Sequence, residues 1–136
     1  MIVIDASVWV SRLISRDVNH VVSLQWSRRL AAAERRFVVP TLFLAEVAGA
    51  LARVSGRARF GHQAPANLLR NSALDVEAVD RALAETAAKH AADLPLKGTD
   101  ALYVALAERM GIPLITWDSE QLSRAFRVID VQTPTI

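Results

Sequence analysis

The stretch Gly98–Asp118, GTDALYVALAERMGIPLITWD, predicts a helix, a turn and a strand with an aspartate near each end. The helix is expected over about Thr99–Met110, and its apolar residues cover most of its surface, so that little of it faces water. The Gly-Ile-Pro segment that follows is typical of a helix end, because glycine accepts a left-handed backbone and proline prevents continuation. A short buried strand is then expected over Leu114–Trp117. Two carboxylates, Asp100 and Asp118, therefore frame one helix–strand unit.

Other short apolar runs predict further strands, and helical segments lie between them. The expected strands are Met1–Ile4, Phe37–Val39, Ala73–Val76, Leu114–Trp117 and Val128–Val131, and the expected helices are Ser7–Ile14, His20–Glu34, Thr41–Gly56, Pro65–Asn71, Asp80–Ala92, Thr99–Met110 and Ser119–Phe126. This alternation predicts a three-layer α/β/α fold, with a mostly parallel sheet of four or five strands and helices on both faces. The basic segment 56–63, GRARFGHQ, is expected to be a loop. The length of 136 residues fits a single domain over 1–136.

The composition argues against several classes of protein. The chain has no cysteine, which excludes a disulfide scaffold and a thiolate metal site. No apolar run approaches the roughly 18 residues of a membrane span, and Met1 leads directly into a strand rather than into a basic secretory leader. We therefore expect a cytoplasmic protein with no membrane partner. No GxGxxG, GxxxxGK[ST] or GxSxG motif occurs, which argues against dinucleotide, P-loop and α/β-hydrolase sites.

Histidine and tryptophan contribute no recognisable site. The histidines lack the spacing of a metal motif, and we interpret them as surface or helix residues: His20, His62 and His90. The three tryptophans are expected in the core, and stacking on a base or a partner helix is left open for Trp9 and Trp26.

Glu46 is the most unusual acid in the chain. It lies in the middle of TLFLAEVAGALARVSG, a helix that is apolar on nearly all sides. A glutamate in such a place is costly unless it is paired or bound to a cation. Position 50, one turn further along, is an alanine, and Arg53 lies two turns away. A structural ion pair is therefore the weaker interpretation of Glu46.

Three aspartates have positions that favour a shared site with Glu46. Asp5 and Asp118 end strands, and Asp100 begins a helix. Each aspartate alone is also interpretable as a helix cap, which is worth about 1 kcal/mol. If the sheet brings all four acids together, their charges raise one another's pKa values, and a hard cation such as Mg²⁺ or Mn²⁺ removes that conflict. Two hydroxyls are expected to support the acids: Ser7 and Thr116.

The charges are unevenly distributed although the net charge is only +2. Residues 26–70 hold eight arginines and two glutamates, a balance of +6, so the rest of the chain carries −4. A basic sector suits a polyanionic partner, although arginines that only solvate helix faces are an equally good interpretation of composition alone.

Taken together, four motifs in this order resemble the PIN domain family. They are the strand ending in DAS (5–7), PTLFLAEVAGAL (40–51), TDALYVALAERMGIPLIT (99–116) and TWD (116–118). The resemblance extends from Met1 to about Val131, and the length and spacing are most similar to VapC-type toxins of toxin–antitoxin pairs.

The resemblance implies a Mg²⁺- or Mn²⁺-dependent endoribonuclease that cleaves RNA phosphodiester bonds with a metal-activated water. Asp5, Glu46, Asp100 and Asp118 would be its catalytic metal-site residues, with Thr116 and Ser7 in support. It also implies a homodimer and a VapB-like antitoxin whose C-terminal segment blocks the site.

Two alternatives belong to other functional classes. A catalytically silent module of the same fold would bind RNA through its arginines or bind only an antitoxin. A phosphoacceptor receiver domain needs an acidic pair after the first strand and a lysine after a late one. Here only Asp5 follows the first strand, and neither Lys89 nor Lys97 ends a strand. The receiver interpretation is therefore the weakest of the three.

Overall fold

The computed structural model describes the whole chain from Met1 to Ile136. The strands are β1 (Ile2–Ile4), β2 (Phe37–Pro40), β3 (Leu74–Glu77), β4 (Leu114–Ile115) and β5 (Val131–Gln132). The helices are α1 (Ala6–Leu13), α2 (His20–Ala32), α3 (Leu42–Ser55), α4 (Ala58–Leu69), α5 (Arg81–Asp93), α6 (Gly98–Met110) and α7 (Ser119–Arg124), followed by a 3₁₀ turn at Ala125–Arg127. No helix is long and apolar enough to cross a membrane.

The five strands form one parallel sheet in the order β3-β2-β1-β4-β5, which confirms the predicted fold class. The chain moves outward from β1 to β2 and β3, and then returns to the other side of β1 to build β4 and β5. Right-handed crossovers place the helices of these two halves on opposite faces of the sheet. The direction of winding therefore reverses between β1 and β4, where Ile4 lies beside Ile115.

The core lies between the sheet and its helices. The three central strands, β2, β1 and β4, are buried on both faces, as parallel strands with helical cover require. Helix α6 packs against β1, β2 and β4, and six of its thirteen residues are buried, which confirms the prediction that little of it faces water. Trp9 and Trp26 are core residues as predicted, each packing at an angle against Phe37.

The predicted loop at 56–63 is wrong, because most of it belongs to α4. Helix α3 ends at Gly56, which has the left-handed φ of 69°, and α4 begins only two residues later and continues through Pro65. Gly61 lets the two helices approach closely, since a Cβ atom there would lie 2.7 Å from the Ala48 carbonyl oxygen. Tertiary packing thus stabilises a helix in a segment whose glycines and arginines are typical of a loop.

The bounds of the last strand also need correction, and the position of His90 can be stated more closely. The last strand is Val131–Gln132 rather than Val128–Val131, because the N–H groups of Val128 and Ile129 donate to the Ala125 carbonyl and extend the preceding turn. His90 is a helix residue as expected but is not on the surface. Its side chain is 6% exposed and contacts the Glu108 carboxylate between α5 and α6.

Candidate metal centre

The acidic residues meet where the winding of the sheet reverses. Asp5 directly follows β1, and Asp118 follows β4, its neighbour in the sheet. The Asp5 N–H donates to the Ile115 carbonyl at 3.0 Å, which ties the ends of the two strands together. Ligands of open α/β sheets usually bind in the crevice beyond the carboxyl ends of strands at such a point. The topology therefore gives both aspartates a position suited to a site.

Asp5 is buried, with 6% of its surface exposed. Its carboxylate caps α1 by accepting the Ser7 N–H at 2.9 Å. Burial raises its pKa, hydrogen bonds from the hydroxyl and N–H of Ser7 oppose that shift, and the nearby charge of Asp118 adds to it. The capping role left open for Asp5 is therefore correct, and it coexists with a place among the other acids.

The carboxyl group of Asp100 is also strongly perturbed. Burial is the main cause that raises its pKa to about 6, and the charges of Asp118, Asp5 and Glu46 add to this shift. Lys97 is the only cation that opposes this shift. The cap position of α6 is Lys97, and Asp100 lies within the first turn, so helix capping is not the role of Asp100. All four predicted acids are thus close enough in space to interact electrically.

Glu46 has a partner that the sequence analysis missed. The hydroxyl of Tyr103, whose side chain is fully buried in α6, donates to the Glu46 carboxylate at 2.5 Å. Burial raises the pKa of Glu46, the Tyr103 hydrogen bond opposes this, and Asp5 adds to it. The pKa of Tyr103 is itself raised, chiefly by burial and then by Asp5 and Glu46, which keeps the phenol protonated as a donor. A tyrosine one turn after Asp100, on a helix otherwise buried and apolar, was the signal available in the sequence.

Hydrogen bonds through Thr116 and Gln121 connect the backbone of Asp118 with the backbone of Asp100. The Thr116 hydroxyl accepts the Asp118 N–H at 2.9 Å and donates to the Gln121 side-chain oxygen at 2.6 Å. The Gln121 amide then donates to the main-chain carbonyl of Asp100 at 3.2 Å. Thr116 therefore supports the site through the backbone of Asp118 and through Gln121, a residue that the sequence analysis did not select.

Ser7 joins α1 to the end of β4. Its N–H donates to Asp5, and its hydroxyl oxygen accepts the Trp117 N–H at 3.1 Å. Asp118 in turn caps α7 by accepting the Gln121 N–H at 2.8 Å. The predicted supporting residues are thus in contact with the acids or with the chain that carries them.

The donor chemistry of this group fits a hard divalent cation. The four side chains offer carboxylate oxygens, which Mg²⁺ and Mn²⁺ prefer as ligands. No three Asp, Glu, His or Cys side chains stand as a ready-made set of metal ligands. The carboxylates nevertheless perturb one another's pKa values, so that added positive charge between them is favourable.

The arginines of the basic sector, residues 26–70, are exposed. All eight arginines between residues 26 and 70 are on the surface, and only Arg36 forms an ion pair, with Asp75. Arg29 and Arg70 donate to neutral oxygens of Thr135 and Asn67. Most of this positive charge is therefore free of acidic partners.

The comparisons with known proteins agree with this geometry. A model of the PIN domain matches residues 2–127. The chain belongs to the PIN domain family. A search of curated proteins finds no match.

Several solved structures share the fold at low sequence identity. VapC20 of Mycobacterium tuberculosis, described as a sarcin–ricin loop cleaving toxin, is 23% identical, with a TM-score of 0.74 over 90% of this chain and 94% of that one. A toxin–antitoxin complex from Klebsiella pneumoniae is 18% identical, with a TM-score of 0.72 over 99% and 98% of the chains. FitAcB from Neisseria gonorrhoeae is 16% identical, with a TM-score of 0.70 over 98% of both chains. These likenesses show the fold alone.

Proposed function

We propose that this PIN domain protein is a metal-dependent endoribonuclease and the toxin of a VapBC-type toxin–antitoxin pair. The observation that carries the proposal is the electrostatic interaction of four carboxylates near the switch point of the sheet, where burial and the charges of the other three acids raise the pKa of Asp100 to about 6. Such an arrangement destabilises the protein unless it serves a cation. Asp5, Glu46, Asp100 and Asp118 would hold Mg²⁺ or Mn²⁺.

The residues around the proposed cation site have different roles in this proposal. A divalent cation held by these acids would supply an activated water and positive charge for the phosphoryl oxygens. Tyr103 holds the Glu46 carboxylate, and Ser7 holds the Asp5 carboxylate. The exposed arginines of residues 26–70 are suited to contact the RNA backbone, because all of them except Arg36 are free of acidic partners in the protein itself.

The proposed partners are an RNA substrate, a VapB-like antitoxin and a second copy of the chain. RNA as the substrate makes the cytoplasm the proposed place of action. The description of VapC20 as a toxin that cleaves the sarcin–ricin loop and the presence of a toxin–antitoxin complex among the similar folds support this choice over other nuclease roles.

The test is cleavage of a mixed RNA panel by the purified protein with Mg²⁺, with Mn²⁺ and with EDTA. Asp100→Asn is the inactive variant, and Asp80→Asn is its matched control. Asp80 is an exposed aspartate whose pKa is lowered by its partner Arg109, so the same chemical change is made outside the acidic centre. We expect metal-dependent cleavage by the wild type and by Asp80→Asn, and none by Asp100→Asn. Equal cleavage by all three proteins identifies a contaminating nuclease and contradicts the proposal. Absence of both cleavage and divalent-cation binding favours the silent module instead.

A further inference from the structure

Gln121 is a fully buried polar residue directly behind the acidic centre. It is the third residue after Asp118 and lies in the first turn of α7, where its N–H completes the cap of that helix. Its side chain has 0% exposure. Burying an amide costs free energy unless its N–H donors and its oxygen acceptor form hydrogen bonds, so the hydrogen bonds of Gln121 must offset that cost.

The Gln121 side chain joins two separate elements. Its oxygen accepts the Thr116 hydroxyl at the end of β4, and its nitrogen donates to the main-chain oxygen of Asp100 in α6. The main-chain N–H of the same residue donates to the Asp118 carboxylate at 2.8 Å. The two segments that carry Asp118 and Asp100 are therefore held by one residue.

A simple packing role does not explain this residue. Leucine or methionine would fill a similar volume without the cost of burying an amide. Direct cation binding does not explain it either, because the side-chain oxygen already accepts the Thr116 hydroxyl at 2.6 Å. The remaining role is to fix the positions of the groups that it contacts.

We propose that Gln121 is a positioning residue that sets the spacing of Asp100 and Asp118 and thereby the affinity of the centre for a divalent cation. This inference rests on the cation-holding part of the proposed function. Partners that orient metal ligands from behind change metal affinity by about 10- to 100-fold when removed.

The direct test is Mn²⁺ binding by Gln121→Met, measured by isothermal titration calorimetry on the full chain. Methionine keeps the length of the side chain and removes both hydrogen-bonding groups. Gln25→Met is the matched control, because Gln25 is exposed on α2 and undergoes the same chemical change. We expect Mn²⁺ affinity to fall by about 10- to 100-fold in Gln121→Met and to stay unchanged in Gln25→Met.

A melting temperature measured without metal separates positioning from packing. If Gln121→Met melts at a lower temperature but binds Mn²⁺ as tightly as the wild type, the residue only packs and the proposal is overturned. A wild-type protein with no Mn²⁺ binding also overturns it. Unchanged Mn²⁺ affinity together with metal-dependent RNA cleavage overturns the role of Gln121 alone, whereas weakened affinity in a protein that cuts no RNA supports that role and counts against the nuclease.

Thr116 gives an independent second test should Gln121→Met fail to fold. Thr116→Val removes the hydroxyl that holds the Gln121 oxygen, and Thr116→Ser retains it. We expect several-fold weaker Mn²⁺ binding in Thr116→Val and recovery in Thr116→Ser, because the valine variant frees the amide to turn. Equal affinity in both variants and the wild type contradicts the proposal.

Discussion

The carboxylates of two regions of the protein have pKa values that are shifted in opposite directions. At the acidic centre, Asp5, Glu46 and Asp100 are buried or half-buried, and their pKa values are raised. On the surface, Asp75 and Asp80 are hydrogen-bonded to arginines, which lower their pKa values. Surface pairing is the arrangement that costs least, since both charges remain near water. The acids of the centre are instead buried or half-buried near one another, which costs free energy. Cation binding is a function that accounts for this cost.

The largest expected effect is a rise in melting temperature when a divalent cation is added. A cation that binds only the folded protein stabilises it by about 2.7 kcal/mol at about 100 times its Kd, which raises the melting temperature by about 10 °C in a chain of this size. We expect this rise with Mn²⁺ in the wild type, measured by thermal melting. Sodium chloride at the same ionic strength controls for screening of the surface pairs. A rise of equal size with sodium chloride, or in Asp100→Asn with Mn²⁺, would place the effect outside the centre.

The pH dependence of stability should separate the two regions without any metal. The pKa of Asp100 is about 6 in the folded protein, above its ordinary value of 3.8. The folded state therefore binds more protons than the unfolded state between about pH 4 and pH 6, and the free energy of unfolding falls as the pH rises through that window. Because Asp100 is only half-buried, we expect a loss of about 1–2 kcal/mol rather than the full value of the shift.

The surface pairs have the opposite sign and a different window. The pKa values of Asp75, Asp80 and Asp93 lie below 3.8, so their contribution is present at neutral pH and is lost only as the pH falls below about 4. Urea unfolding across the pH range measures both effects. The fall between pH 4 and pH 6 should be smaller in Asp100→Asn. An identical curve for the variant and the wild type would show that Asp100 is not perturbed.

A smaller effect is expected when the hydrogen bond to Glu46 is removed. Tyr103→Phe keeps the buried ring and deletes only the hydroxyl that donates to the carboxylate at 2.5 Å. We expect a loss of about 1–2 kcal/mol in the free energy of unfolding of the metal-free protein, since the half-buried Glu46 carboxylate loses its protein donor. Urea unfolding at pH 7 measures it. Unchanged stability would mean that water replaces the tyrosine without cost.

The smallest effect is expected at the surface. Arg36→Gln breaks the ion pair with Asp75, where both side chains are partly exposed. We expect the urea midpoint to change less than in Tyr103→Phe, and the difference from the wild type to shrink further in high salt. A shift larger than that of Tyr103→Phe would reverse the ranking of the two regions.

The sequence contained more information about the acids than about what holds them. Asp5, Asp100 and Asp118 could be found because strand ends and helix starts are visible in local patterns, and Glu46 because it interrupts an apolar helix. Their convergence depends on the strand order, which places β4 beside β1 although more than a hundred residues separate Asp5 from Asp118. The family resemblance supplied that step, and the sheet places the strands that precede Asp5 and Asp118 side by side.

The residues that hold the acids were missed for a different reason. Tyr103 has the character of a core residue, and Gln121 that of an ordinary polar position in a short amphipathic helix. Their roles arise only from long-range contacts, such as the hydrogen bond from Tyr103 to Glu46. The predicted loop at 56–63 was wrong for a related reason, since the close approach of Gly61 to α3 is a tertiary contact with no local signal.

The most direct measurement of the central claim is a Mn²⁺ titration of the wild type, Asp100→Asn and Asp80→Asn by isothermal titration calorimetry. Both variants remove one carboxylate charge, one from the acidic centre and one from a surface ion pair. We expect saturable Mn²⁺ binding to the wild type and to Asp80→Asn, with binding lost or strongly weakened in Asp100→Asn. Equal binding by all three proteins, or no binding by any of them, would contradict the claim that the four carboxylates form a cation centre.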